Sequence, residues 1–245
     1  MLGQYIKRIE VDQLWHGGHR VALDFQLGVN VLSGMNGMGK STIISHIAKG
    51  LHMINERKSL EPYGVHIDIY PEGATSIKYN FVKSFDSPLM SISQIESITD
   101  KDVKTYLDWK LYKLQTNEDL VGNPQWNQFC DLIDELFGDT GKVIDRENNR
   151  LVFLQGDDII TPYMLSAGEK NLLIILLTVL LENQEPCVLL LDEPEICLHI
   201  DWQEHLLEHI RTLNPNVQII LSTHSPAIVM NGWLDTVTEI TDTYR

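Results

Sequence analysis

The chain has 245 residues, 43% of them hydrophobic, and a formal net charge of −15. That length and apolar content allow a full core, either as one large domain or as a domain with a lobe inserted into it. So acidic a molecule repels phosphate backbones unless its basic groups gather on one face, which disfavours strong duplex-DNA binding by this chain alone.

In chain order, Val21, Leu23, Phe25 and Leu27 alternate with mostly polar residues, the period-two pattern of a half-buried strand. The Gly17-Gly18 turn before them predicts a hairpin with Tyr5 to Val11. Val29 to Leu32 reads as a short strand and Thr42 to Leu51 as a helix. Between them lies Gly34-Met35-Asn36-Gly37-Met38-Gly39-Lys40-Ser41. Residues 66–70 and 77–82 are expected to form a second strand pair around the turn Pro71-Glu72-Gly73-Ala74.

From about residue 95 the spacing turns helical, with Val103, Tyr106, Leu107, Leu111 and Leu114, then Trp126, Phe129, Ile133, Leu136 and Phe137. The stretch Lys101, Lys104, Lys110, Lys113 falls on opposite faces of such a helix, which reads as a solvated surface. A hairpin is predicted from residues 142–145 and 151–154 around a polar turn. The run Leu172 to Leu181 is ten residues broken only by Thr178, which suits a buried helix and is too short for a membrane span. Residues 187–191 and 217–222 read as buried strands with a helix over 202–213 between them. The fold class is therefore α/β, with an N-terminal antiparallel β subdomain and an inserted, mainly helical lobe. The expected division is 1–92 with 185–245 as the core and 93–184 as the lobe.

Chemistry concentrates in three places. The glycine-rich segment fits G-x-x-x-x-G-K-S, whose glycines let successive N–H groups turn inward around phosphates. Gly34, Asn36, Gly37, Gly39, Lys40, Ser41 and Thr42 are the candidate phosphate-binding residues. Lys40 would neutralise β/γ oxygens, and the Ser41 hydroxyl would take one Mg²⁺ position. In Leu189-Leu190-Leu191-Asp192-Glu193-Pro194, Asp192 is placed to hold Mg²⁺ and Glu193 to polarise an attacking water. Ser166-Ala167-Gly168-Glu169 opens the apolar helix either as an ordinary capping box or, since cap and anion site share one geometry, also as a phosphate site at Ser166 and the Gly168 backbone; Ser166, Gly168 and Glu169 are its candidate nucleotide-binding residues. Three cysteines, Cys130, Cys187 and Cys197, show no ligand spacing and are read as reduced small hydrophobes. With no signal-peptide layout at the N-terminus, the expected location is cytoplasmic.

In this order the motifs resemble the ABC-class P-loop ATPases. Leu165-Ser166-Ala167-Gly168-Glu169-Lys170 is similar to their signature motif, and His224 in Ser222-Thr223-His224-Ser225-Pro226 to their switch histidine. Asp192-Glu193-Pro194-Glu195-Ile196-Cys197-Leu198-His199 resembles the SMC/RecF/OLD-like branch, with His199 where transporters carry a D-loop aspartate. A Q-loop glutamine is the weakest element, with Asp86 and Gln94 as candidates. The separation of P-loop and signature, about 110 residues, leaves no room for a coiled-coil arm. A nuclease domain after His224 is not expected either.

The resemblance implies a stand-alone ATP hydrolase using ATP and Mg²⁺, with Lys40, Glu193 and His224 catalytic. Two copies would close over shared nucleotide, Ser166 and Gly168 completing the partner's site. It further implies control of a separate effector (nuclease, toxin or reverse transcriptase) in DNA repair or anti-phage defence. No membrane insertion is expected, and direct nucleic-acid contact is left open. The rival readings are a nucleotide-binding subunit of an ABC transporter and a scaffold that binds ATP without hydrolysing it.

Overall fold

The computed structural model describes residues 1–14, 19–83, 105–117, 120, 122–147 and 150–240. The Gly17-Gly18 turn, Asp86, Gln94, Lys101, Val103, Lys104, Asn148 and Asn149, which figure in the expectations above, lie outside them. The first part of the chain forms β1 (Leu2–Gly3), β2 (Tyr5–Val11), β3 (Val21–Asp24), β4 (Val29–Ser33), α1 (Lys40–Asn55), β5 (Val65–Tyr70), β6 (Ser76–Ile77) and β7 (Tyr79–Lys83). Next come α2 (Tyr106–Gln115), α3 (Pro124–Leu136), β8 (Val143–Ile144), β9 (Phe153–Gln155), β10 (Asp158–Ile160) and α4 (Ala167–Leu180). The last part contains β11 (Cys187–Asp192), α5 (Ile200–Leu213), β12 (Val217–Ser222), α6 (Pro226–Met230) and β13 (Val237–Glu239).

The chain divides into two compact units. The described residues of Met1–Ser84, Glu185–Glu195 and Asn216–Arg245 form one, and those of Phe85–Gln184 and Ile196–Pro215 the other. In the first unit a five-stranded sheet runs in the order β13-β4-β12-β11-β7. All of its pairings are parallel. Its central strands β11 and β12 are buried on both faces, as continuous apolar runs require. Helix α1 packs its apolar stripe, Ile43, Ile44, Ile47 and Leu51, into the same core as Val188, Leu190 and Ile220.

A separate antiparallel sheet, β3-β2-β5, carries the expected Tyr5–Val11 hairpin. Here the structure corrects the sequence reading. Strands β5 and β7 do not pair around the turn at 71–74. β5 joins β2 antiparallel, while β7 joins β11 parallel in the other sheet. Short β6 pairs with β1 between them in the chain. The reason is burial: Tyr79, Asn80 and Val82 are all buried, so β7 needs cover on both faces that a two-stranded ribbon lacks.

The second unit is mainly helical. Helix α4 is buried nearly all round, with Leu172 to Leu180 covered throughout. α5 presents Leu206, Leu207, Ile210 and Leu213 inward and contacts α3 and α4. For that reason residues 196–215 cluster with this unit, whereas the sequence expectation put them with 185–245. The predicted hairpin forms as β8 against β9, and β10 extends it to three strands.

Two smaller expectations are corrected here. Lys110 is not on a solvated face; it is 3% exposed, its ammonium 4.9 Å from the centre of the Tyr106 ring. Cys197 is not a buried hydrophobe but is exposed, unlike Cys130 and Cys187. Burial in α3 pushes the Cys130 thiol up to about 12, which leaves it inert.

Candidate functional site

Strand β4 ends in the glycine-rich loop, and the loop's shape follows from its glycines. Gly34, Gly37 and Gly39 have φ of 144°, 82° and 87°, a region costly for any side chain. Gly39 caps α1 without any side-chain hydrogen bond, so the N–H groups of the first turn are offered to an external acceptor. Asn36, Gly37 and Ser41 are exposed around this opening, and Thr42 is partly so. Lys40 is 4% exposed, and its Nζ donates to the carbonyls of Gly34 (2.8 Å) and Met35 (3.2 Å). Burial lowers its pKa, against the opposing pull of Glu193, Glu195 and Asp192.

The carboxylates arrive from the next strands of the sheet. In-register pairing sets Asp192 at the end of β11 between Ser222 of β12 and Lys83 of β7. Register partners point to one face, so a cation, a carboxylate and a hydroxyl stand in a row there. Ser222 Oγ donates to Asp192 Oδ1 at 2.6 Å and accepts the Glu193 N–H at 3.1 Å. The Ser222 carbonyl accepts the same N–H at 3.1 Å. These bonds hold Glu193 at φ 51°, a left-handed conformation uncommon outside glycine. His224, two residues beyond β12, places Nε2 3.5 Å from Glu193 Oε1. Lys40, Asp192, Glu193 and His224 are thus gathered by the loops after β4, β11 and β12.

The sequence reading singled out four of these residues and missed three. Ser222 and Lys83 were legible only as the polar last residues of apolar strands. Glu195 carries no local sign of a role within its motif, yet its Oε1 accepts the His224 N–H at 2.7 Å. The donor set suits a magnesium-bound phosphate. It combines an exposed hydroxyl, one strand-end carboxylate and a buried ammonium, the hard oxygen and cationic groups such a ligand requires.

In the second unit Ser166 caps α4, and its Oγ accepts the Glu169 N–H at 3.3 Å in a complete capping box. Ser166 is exposed, whereas Gly168 is buried. A Cβ at Gly168 would stand 2.3 Å from the Cys197 carbonyl oxygen, so packing alone demands glycine there. His199 caps α5 and lies 3.3 Å from Asp201, exposed.

Glu169, counted from the sequence among nucleotide-binding residues, has its carboxylate turned inward instead. It is 2% exposed, accepting from the Ser166 N–H (2.9 Å), the Thr140 hydroxyl (2.9 Å) and Lys142 Nζ (2.8 Å). Burial alone would raise its pKa, but Lys142, Ser166 and Thr140 outweigh it and hold the carboxyl below 4.5. Lys142→Met would leave this charge buried and unpaired, and should cost about 3 kcal/mol in urea unfolding at neutral pH. A depressed carboxyl contributes its stability in full above the unfolded value and loses it as pH falls through the folded one. The Lys142→Met penalty should therefore shrink as pH falls through the carboxylate range, where the unpaired carboxylate of the variant takes up its proton.

A family model described as "AAA domain, putative AbiEii toxin, Type IV TA system" matches residues 80–231. The chain belongs to this AAA family. Among curated proteins, this AAA chain is 35% identical over 81 residues to "Retron Vc95 probable ATPase" of Vibrio cholerae, covering 29% of the chain and 16% of that protein. It is 31% identical over 108 residues to "Retron Ec83 probable ATPase" of Escherichia coli, covering 38% and 18%. The matched stretch thus spans less than a fifth of either relative. Among solved structures, an SMC head bound to the C-winged helix domain of ScpA superposes with a TM-score of 0.58. That pair is 15% identical, with 93% of this chain and 92% of that one covered. The SMC head domain from Thermotoga maritima gives 0.54 at 15% identity, covering 96% and 94%. The AAA chain therefore has the P-loop ATPase head fold of the SMC/ABC type.

Proposed function

We propose that this AAA chain binds and hydrolyses Mg·ATP, and that ATP closes two copies face to face in order to control a separate effector protein. The observation that carries the reading is the gathering of Lys40, Asp192, Glu193 and His224 at the ends of three neighbouring parallel strands. Ligands bind at the carboxyl ends of strands in such open sheets.

Gly34, Asn36, Gly37, Gly39 and Thr42 would supply the phosphate cradle, with Lys40 on the β- and γ-oxygens. Ser41 and Asp192 would hold Mg²⁺, which when bound neutralises developing phosphate charge. Glu193 orients a water and accepts its proton as the water oxygen bonds to the γ-phosphorus and the bond to the β–γ bridging oxygen breaks. His224, beside Glu193, is positioned to report whether the γ-phosphate is present. Ser166, exposed at the start of α4, would complete the partner copy's site through its hydroxyl and the helix N-terminus.

The effector and a role in anti-phage defence or DNA repair draw support from names alone: two relatives are retron ATPases, and the family description includes a toxin–antitoxin system. Among the described residues no helix is long and apolar enough to cross a membrane. No specific observation favours the transporter-subunit reading.

Completion in trans is tested by mixing. Ser166→Arg should bind ATP without turnover, and Lys40→Ala should lose both. Equal amounts together should recover on the order of a quarter of wild-type phosphate release, since random pairing makes half heterodimers, each with one intact site of two. A mixture as inactive as its components would exclude shared sites.

A further inference from the structure

The loops after β11 and β12 leave the sheet side by side, and two main-chain N–H groups tie them together past the strand ends. The first is the Glu193 N–H on the Ser222 carbonyl at 3.1 Å. The second is unlike an ordinary ladder bond, because the acceptor for the His224 N–H is the side chain of Glu195, at 2.7 Å. We propose that Glu195 is a positioning residue for hydrolysis: its carboxylate fixes the main chain of His224 and so sets the imidazole against Glu193.

The inference rests on the reading that His224 serves the ATP site, and it gives a role to a residue that makes none of the phosphate or metal contacts assigned above. The separation Glu195 sets is demanding. His224 Nε2 and Glu193 Oε1 are 3.5 Å apart, beyond a tight hydrogen bond but within ion-pair reach. A small turn of the 223–225 loop would close or break that contact. Elsewhere the loop is held by the Ser225 N–H on Thr223 Oγ1 at 2.9 Å and the Thr223 N–H on the Leu32 carbonyl at 3.3 Å, and Ser225 Oγ accepts the Ala227 N–H at 3.2 Å. None of these bonds is made by His224 itself. Glu195 also acts electrostatically on Lys40, together with Glu193 and Asp192. That gives the competing role, a pure charge effect on the phosphate cradle. The two roles separate cleanly, because glutamine keeps an acceptor oxygen and loses the charge.

The test combines a spectroscopic signature with kinetics. In nucleotide-free protein labelled with ¹⁵N-histidine, Glu195→Ala should move the His224 amide proton upfield, and Glu195→Gln should leave it close to its wild-type position. Glu195→Ala should lower kcat about tenfold with KM and equilibrium ATP affinity within about twofold, while Glu195→Gln stays within about threefold of wild type. The double variant Glu195→Ala/His224→Ala should turn over no more slowly than His224→Ala alone, since both act through one contact. An unmoved amide in Glu195→Ala, additive losses in the double variant, or Glu195→Gln as impaired as Glu195→Ala would each overturn the positioning role. Wild-type turnover in His224→Ala would instead overturn the reading of the site, and the positioning role with it.

Discussion

Glu193→Gln should bind ATP normally, lose hydrolysis by about 10²- to 10⁴-fold, and accumulate as an Mg·ATP-dependent dimer. The substitution keeps the shape and hydrogen-bonding capacity of the side chain and removes only its basicity. The backbone should not respond, because φ 51° at this residue is held by Ser222 through main-chain and hydroxyl contacts that glutamine leaves intact. With the proton acceptor gone, the closed state has no exit through phosphate release, so it should persist. Phosphate release and light scattering on the same sample decide the matter. A variant that stays monomeric at saturating ATP would contradict nucleotide-driven closure, and undiminished turnover would remove Glu193 from its role.

The second large effect concerns stability. Gln218, the second residue of β12, has no exposed surface. Its Oε1 accepts the Ile6 N–H at 2.8 Å, and its Nε2 donates to the carbonyls of Ile6 (2.8 Å) and Gln26 (3.0 Å). One side chain thus satisfies three backbone groups of β2 and of the loop after β3, joining the antiparallel sheet to the parallel one. Gln218→Leu preserves volume and strips this partner from the buried Ile6 N–H and carbonyl, while the Gln26 carbonyl keeps Asn30 Nδ2 at 2.9 Å. At about 1–3 kcal/mol for each of the two orphaned groups, less what water or relaxation recovers, the expected loss is about 2–4 kcal/mol, read from the midpoint of urea unfolding. A loss under about 1 kcal/mol would mean that those backbone groups find other acceptors and donors.

These two sites mark how far each level of description reaches. Glu193 was legible from the chain because it follows directly on Asp192 at the end of an apolar run, and the phosphate loop was legible because one continuous segment supplies its glycines, lysine and serine. Gln218 was not legible. As a lone polar residue in Val217–Ser222 it was absorbed into a buried strand, and nothing local says that Ile6, over two hundred residues away in sequence, needs its amide. The inward turn of the Glu169 carboxylate was not legible for a related reason. A capping box exposes its serine and hides its glutamate only when something like Lys142 waits underneath, and spacing along α4 does not reveal that.

By itself the sequence determined the α/β class, the boundaries of most strands and helices, and the local shapes of the glycine-rich loop, the acidic strand end and the capped helix α4. In each case the information is carried by neighbours along the chain, through period-two or helical spacing and through backbone shapes that glycine permits. Tertiary structure alone decided that β5 and β7 part into different sheets, that Lys110 and Glu169 are buried, that residues 196–215 pack with the helical unit, and that Glu195 reaches the amide of His224. Apolar periodicity says that a segment is covered without saying by what, and a polar group's partner is chosen by the strand or loop that the fold brings beside it.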